Sequence, residues 1–320
     1  IFFHIINPFM IKYVKKIAYL VSAVAAGLGF STAAQADVTV SGSGGLEVLS
    51  AGSSTTVYQG GAVSFALSTT TASGIAVSTS SGWGIDSDTA DSDASGTQEF
   101  TSLSLAAGGN TVTFATAMEL PAGGGVGGVS KDLVSTGLAA GTAAAGAGDH
   151  TGHGVSLSTA LGSASLTIGY VFDTDNANNN STTSGNDTAF GVGVSMPMGP
   201  LTVSVNHAQD NGASSSETGG NVAYAIGGGT LKVGYLDDTT SGAAATEVSG
   251  SYSMSLDADT SIAVGYKSTD EGSSNTTVTE VGITRAMGGG VSLFLDYSSI
   301  GGATGSGNNS AVAFGTNISF

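Results

Sequence analysis

Short runs in which apolar and polar residues alternate occupy most of the chain from Asp37 onward. In such a run every second side chain points to the same face, which is the geometry of a β-strand. Gly, Ser, Asn, Asp and Pro separate the runs and favour turns. Sixteen strands are predicted, with apolar markers at 38–48, 63–67, 75–77, 103–105, 112–114, 155–161, 166–172, 190–196, 201–205, 222–226, 231–235, 248–254, 262–266, 281–283, 291–297 and 312–320.

The connections between these strands are predicted to alternate between tight turns and longer polar loops, as in up-and-down hairpins with two unlike ends. A transmembrane β-barrel has this form. The second face of each strand carries Ser, Thr, Ala, Gly and Asn, which suits a wet lumen better than the core of a soluble sandwich. The pattern therefore predicts an all-β fold, a transmembrane antiparallel 16-stranded barrel whose closure leaves no sheet edge in lipid.

Residues 118–153 form the longest interruption of the strand pattern. A long irregular segment inside a compact chain is often functional, and we expect this one to fold into the opening of the barrel. Its charged residues, Glu119, Lys131, Asp132 and Asp149, are candidates for the narrowest part of a channel. The alternative is an outer loop that never enters the lumen. Because Gly and Ala dominate the segment, deletions within 123–148 are expected to widen a channel more than they change its ion selectivity.

The beginning of the chain has the three parts of a secretory signal at residues 10–36. Three lysines precede an apolar stretch at 17–30, and an A-x-A cleavage site ends at Ala36. A membrane anchor is the alternative, but a span needs about 18 residues or more. Residues 1–9 are interpreted as an upstream extension and 37–320 as a single barrel domain.

Composition and charge narrow the function classes. Charged residues are 10% of the 320 residues, against roughly 25% in ordinary globular domains. When the three lysines of the leader are left out, 4 of the 7 basic residues remain against 24 acidic residues, which gives a formal charge of −20. This charge disfavours nucleic acid as a partner. In a channel it predicts a mild cation preference.

Strand phase assigns further side chains to the lumen. Five charged residues fall between outward-facing neighbours: Lys232, Lys267, Glu47, Glu280 and Asp296. The three acids lie nearer the mouth with the longer loops. Arg285 has an outward phase and is expected to snorkel at the opposite rim. An interfacial aromatic girdle is predicted from Tyr170, Phe172, Tyr235, Tyr266 and Tyr297, although strands favour Tyr in any case.

The signal peptide, the sixteen alternating strands, the long loop after the fifth strand and the terminal Phe320 occur together. On these features residues 37–320 resemble the Gram-negative general porins, and most of all the short porins of alphaproteobacteria. The resemblance implies an outer-membrane homotrimer with one pore per subunit, narrowed by an inward third loop. It also implies passive diffusion of small hydrophilic solutes, contact with lipid and lipopolysaccharide, and no chemistry.

Two details refine the resemblance. Phe320, with Ile318 and Phe314 on the same face, looks like the terminal signal that the outer-membrane assembly machinery recognises. Many such porins set loop acids against a wall of Arg. The mature chain has only Lys131, Lys232, Lys267 and Arg285 as bases, so no strong transverse field is expected.

Metal, enzyme and adhesion functions remain as weaker alternatives. Oxygen ligands at Asp86, Asp88, Asp91 and Asp93 suit Ca²⁺, although a solvated loop is the favoured interpretation and no cofactor is expected. The pair His150 and His153 lacks further metal ligands, and the sequence contains no convincing nucleophile–base set. A secreted or surface-displayed all-β adhesion protein shares this composition, but would not need the terminal Phe or the outsized third loop.

Overall fold

The computed structural model describes residues 37–86, 99–124, 126, 151–173, 188–211, 215–240, 243–272, 275–302 and 310–320. The described residues contain no helix that is long and apolar enough to cross a membrane. Their strands are β1 (Asp37–Ala51), β2 (Ser54–Thr70), β3 (Ala76–Asp86), β4 (Glu99–Ala107), β5 (Asn110–Glu119), β6 (Thr151–Leu161), β7 (Ala164–Asp173), β8 (Ala189–Met198), β9 (Leu201–Asp210), β10 (Ser215–Ile226), β11 (Gly229–Thr240), β12 (Ala243–Ser255), β13 (Thr260–Asp270), β14 (Asn275–Gly288), β15 (Val291–Gly301) and β16 (Ser310–Ser319).

The strands form one closed antiparallel barrel in which each strand pairs with its neighbours in the chain. Closure comes from the pairing of β1 with β16, where Val48 lies opposite Phe314 and Gly44 opposite Ile318. Every predicted marker run falls on one of these strands, except that residue 75 lies one position before β3 and residue 320 one position after β16. The predicted 16-stranded antiparallel barrel is therefore confirmed.

The two ends of the barrel differ, but less regularly than predicted. One end, the turn end, has connections of two to five residues, such as 108–109 and 227–228. All the long connections lie at the other end, the loop end, but four short ones are there too: 52–53, 211–214, 241–242 and 271–274. The prediction of strict alternation was wrong because Gly, Ser and Thr extend the strands beyond their apolar markers.

Large apolar side chains cover the outer face of the barrel. Val233, Tyr235 and Phe314 are each about half exposed. Among the predicted girdle residues, Tyr235, Tyr266 and Tyr297 are exposed on the outer face and precede the last residues of their strands, Thr240, Asp270 and Gly301. An exposed apolar surface of this extent requires a partner, and lipid is the partner that a closed barrel fits.

The inner face corrects the prediction of small, neutral residues. Phase and register place Leu49, Leu236, Val278 and Phe294 on it, and all four are buried. Leu49 and Phe294 pack with Ala311 and Ala313 in one cluster. The loop-end half of the inner wall is thus partly covered rather than uniformly wetted.

Candidate functional site

The chain turns inward at the end of β5. A bulge between Ala115 and Met118 changes the register, so that Met118 pairs with Gly152 and Glu119 with Thr151. β5 therefore ends at Glu119 and β6 begins at Thr151, which corrects both ends of the segment predicted at 118–153. Residues 120–124 and 126 follow β5, and we call them the strap.

Apolar contacts hold the beginning of the strap. Met118 and Leu120 are buried in a cluster with Val171, Ala189 and Ala208. The last three lie on the inner faces of β7, β8 and β9, in phase with inward-facing glycines. The strap therefore starts against the inner wall of the barrel.

Polar side chains of the wall hold the rest of the strap. Asn206 on β9 donates from Nδ2 to the carbonyl oxygens of Ala122 and Gly123, at 3.3 and 2.9 Å. The Val126 N–H donates to Ser249 Oγ on β12 at 2.7 Å. The described strap thus reaches from β7 to β12 along the inner face.

Glycines of the wall make room for this close approach. A Cβ on Gly191 would lie 3.0 Å from Pro121 Cδ, and one on Gly219 would lie 2.7 Å from Gly124 Cα. Ordinary van der Waals contact begins near 3.4 Å. A side chain at either position would push the strap away from the wall.

A group of charged side chains lies beside the strap. Glu217 on β10 faces the backbone amide of Gly123, and the carboxylates of Asp238 and Glu247 are near it. Glu217 and Glu247 are each 1% exposed. Lys267, also buried, places Nζ 3.4 Å from Glu247 Oε2. The strap therefore crosses a wall where acids outnumber bases.

Glu217 and Glu247 were missed by the sequence analysis, although the phase rule applied to Lys232 and Lys267 finds both. Glu247 directly precedes the outward Val248, and Glu217 lies an odd number of residues before the outward Val222. The sequence carries no signal that the strap covers this part of the wall, because that contact joins residues far apart in the chain.

The other predicted inward acids form a second group. Glu47, Glu280 and Asp296 lie on β1, β14 and β15 and are 0%, 0% and 4% exposed. Register brings them close. On β16, Glu47 lies opposite Gly315 and Asp296 lies opposite Ala313, two residues before it. On β14, Asp296 lies opposite Gly282, two residues after Glu280. Each takes part in a hydrogen bond, ion pair or electrostatic interaction. Lys232 is exposed on the inner face nearer the turn end.

The remaining candidates are only partly described. Glu119 is exposed and alternates with the buried Met118 and Leu120, so it points away from the wall contacts. Asp86 is the last residue of β3, and His153 is half-buried on β6. Outside the described residues lie Lys131, Asp132, Asp149, His150, Asp88, Asp91 and Asp93. Within the described ranges no group of three or more His, Asp or Glu is placed to hold a metal ion.

An exposed polar cluster occupies the turn end between β12 and β13. Arg285 Nη1 donates to Thr260 Oγ1 at 2.8 Å and lies 3.7 Å from Asp257 Oδ2, which agrees with the predicted position of Arg285 at this rim. Hydrogen bonds lower the pKa of Asp257 because they stabilise its carboxylate. The largest effect comes from the backbone N–H of Asp259, and smaller ones come from the hydroxyl and the N–H of Thr260. The turn is thus fixed by an ionised aspartate.

The end of the chain closes the barrel at the same rim. Phe320 and Gly42 exchange two backbone hydrogen bonds of 3.0 Å. The Phe320 ring lies over Gly42 so closely that a Cβ there would overlap the ring. Phe314, Ile318 and Phe320 are all exposed on the outer face.

Comparison with known proteins agrees with this architecture. Residues 21–304 match the family described as Gram-negative porin. A search of curated proteins finds no match. The fold is similar to that of a Rh. blastica porin variant, at 14% identity and a TM-score of 0.66 over 89% of this chain and 100% of that one. It is also similar to OmpT of Vibrio cholerae in trimer form, at 13% identity and a TM-score of 0.65 over 89% and 99% of the two chains.

A third similar structure is an anion-selective porin from Comamonas acidovorans. It shares 15% identity and a TM-score of 0.65, over 89% of this chain and 100% of that chain. At this identity the likeness establishes the fold.

Proposed function

This chain belongs to the Gram-negative porin family and forms a channel in the bacterial outer membrane, and we propose that the channel mildly prefers cations. Small hydrophilic solutes and ions cross a water-filled passage down their concentration gradients, and the chain catalyses no reaction. The long segment after β5 narrows the passage. Its described part supports this role, because the strap lies against the inner wall.

The charges of the inner wall carry the proposed selectivity. Register and phase direct more acids than bases inward among the described strands. The inward bases are Lys232 and Lys267, and Lys267 is already paired with Glu247. The inward acids are Asp37, Glu47, Asp210, Glu217, Asp238, Glu247, Glu280 and Asp296. A wall with excess negative charge concentrates cations and depletes anions.

Fold alone does not decide the sign of the selectivity, since the similar Comamonas acidovorans protein is an anion-selective porin. The burial of most of the inward acids keeps the preference mild, because passing ions do not reach those carboxylates directly. Ca²⁺ at the acidic segment that begins with Asp86, the last residue of β3, stays a prediction, and the proposed channel needs no cofactor.

A homotrimer is the proposed assembly. The similar OmpT of Vibrio cholerae occurs in trimer form, and the outer face of this barrel offers wide apolar surface for lipid and for neighbouring subunits. Lipopolysaccharide is the proposed lipid partner at the loop end. The assembly machinery is the proposed receptor for the strand that ends in Phe320.

Reversal potentials in a KCl gradient across a planar bilayer test the selectivity. The purified wild-type chain should conduct in discrete steps and reverse on the cation-selective side of zero. A reversal potential on the anion-selective side would contradict the proposed preference while leaving the channel itself intact. Loss of discrete conductance would contradict the water-filled passage.

A further inference from the structure

The strap follows a single row of residues across the inner wall. Neighbours in this row face each other on adjacent strands, from β8 to β12: Gly193, Asn206, Gly219, Leu236 and Glu247. Pro121 lies over Gly193, and Gly124 lies over Gly219. Between them, the two carbonyls that precede Gly124 accept hydrogen bonds from Asn206.

We propose that Asn206 is the positioning residue of the strap, and that the strap in this position shields Glu217 and Glu247 from the water of the channel. The inference rests on the proposed channel function. It adds a device that sets pore width and cation preference together: while the strap is held, the pore is narrow and these carboxylates are covered.

The hydrogen bonds of Asn206 suit this role. One amide group binds two consecutive carbonyls of a segment that contains Gly123 and Gly124. Glycines give the segment little resistance to bending, so an outside contact must fix its path. Ser249 holds the far end through Val126, and Asn206 holds the middle, beside Glu217.

The burial of the two glutamates supports the proposed shielding. Both are 1% exposed, although they lie on the inner face of a channel wall. Lys267 offsets the charge of Glu247 at 3.4 Å. An ion in the channel is separated from Glu217 by the backbone of the strap, which faces that carboxylate at Gly123. If the strap moves, Glu217 comes into direct contact with permeating cations.

The first experiment loosens the strap in two independent ways. Asn206→Ala removes the hydrogen bonds, and Gly219→Ala places a Cβ 2.7 Å from Gly124 Cα. Gly82→Ala is the matched control, an inward glycine on β3 whose Cβ would lie 3.6 Å from the nearest atom, Ser64 Oγ. Heat-dependent electrophoretic mobility establishes that each variant is folded, and Asn206→Ser replaces Asn206→Ala if the latter does not fold.

Both strap variants should raise single-channel conductance. They should also raise the potassium-to-chloride permeability ratio by roughly two- to fivefold, the scale of one carboxylate acting on a cation about 4 Å away in water. The control should match the wild type in both. Glu217→Gln should lower the ratio more in the Asn206→Ala background than in the wild type, which is the non-additivity expected of coupled groups. Wider pores with an unchanged ratio would overturn the shielding.

The second experiment measures the shielding directly. The chain contains no Cys, so Glu217→Cys introduces a unique target for a cationic thiosulfonate reagent. Its rate of modification should rise about tenfold when Asn206→Ala is added, the scale of losing one or two hydrogen bonds. Lys232→Cys, at an exposed inward position, is the accessible reference. If the thiol introduced by Glu217→Cys reacts at the same rate with and without Asn206, the inference is overturned. This outcome does not depend on whether the wild-type channel is cation- or anion-selective, so it tests the shielding separately from the proposed function.

Discussion

The buried ion pair of Lys267 and Glu247 allows a quantitative test of how the inner wall is stabilised. Its Nζ–Oε2 distance is 3.4 Å, and the two side chains are 9% and 1% exposed. Lys267→Met keeps most of the side-chain volume and removes the ammonium. The Glu247 carboxylate then stays buried without the charge that offset its desolvation, at a cost of about 3–5 kcal/mol.

A double variant separates this electrostatic cost from a loss of packing. Adding Glu247→Gln to Lys267→Met removes the buried charge that was left behind, so most of the stability should return. Arg285→Met is the matched control, since its ion pair with Asp257 is more than half exposed on both sides. An exposed pair contributes little, and this variant should unfold with the wild type.

Urea-dependent unfolding in lipid vesicles, followed by the fluorescence of the single tryptophan, gives the free energies. The midpoint should fall markedly for Lys267→Met and recover in the double variant. A Lys267→Met protein whose free energy of unfolding is within about 1 kcal/mol of the wild-type value would refute the reasoning, because removing the partner of a desolvated carboxylate should destabilise the fold by more than that.

Three further predictions concern other parts of the chain. Deletions within 127–148 should raise conductance with little change in the potassium-to-chloride permeability ratio, since the strap stays in place. Single-channel recording and reversal potentials measure the two quantities, and a change mainly in the ratio would contradict this prediction. Gly42→Ala should reduce the yield of folded protein on heat-dependent electrophoresis, because its Cβ overlaps the Phe320 ring, whereas Gly44→Ala, with 3.5 Å to its nearest atom, should not. The ionised Asp257 should stabilise its turn fully above pH 3.8, the pKa of the carboxyl in the unfolded chain. This stabilisation should be lost as the pH falls through the lower pKa that the carboxyl has in the folded chain. Hydrogen exchange of the turn amides that is equally acid-sensitive in Asp257→Asn would contradict this.

Much of the fold follows from alternation, because lipid on one side and the lumen on the other impose a period of two on every strand. The pattern is weakest where both faces are polar. Residues 49–62 show few apolar markers, yet β1 and β2 pair without interruption from Asp37 opposite Ser68 to Ala51 opposite Ser54. Beyond the apolar band of the barrel the hydrogen bonds between the strands continue, but the sequence there has no alternation of apolar residues that would predict them.

The candidate site is predictable only in part for a related reason. Phase alone directs Lys267, Glu280 and Asp296 inward, and the same rule applies to Glu217 and Glu247. Phase says nothing about what lies above an inward side chain. Glu280 and Asp296 proved buried, and only the three-dimensional structure shows that burial.

The strap explains why composition was an incomplete guide to the long segment. Its Gly and Ala content suggested narrowing by bulk, with little effect on charge. The same glycines let the backbone lie against Gly219, close to the Glu217 carboxylate. A segment with few charges of its own can then control the access of ions to charges on the wall behind it. The electrostatic influence of such a loop depends on where it lies. That position is set by the hydrogen bond that Asn206 donates to Gly123 and the one that Ser249 accepts from Val126.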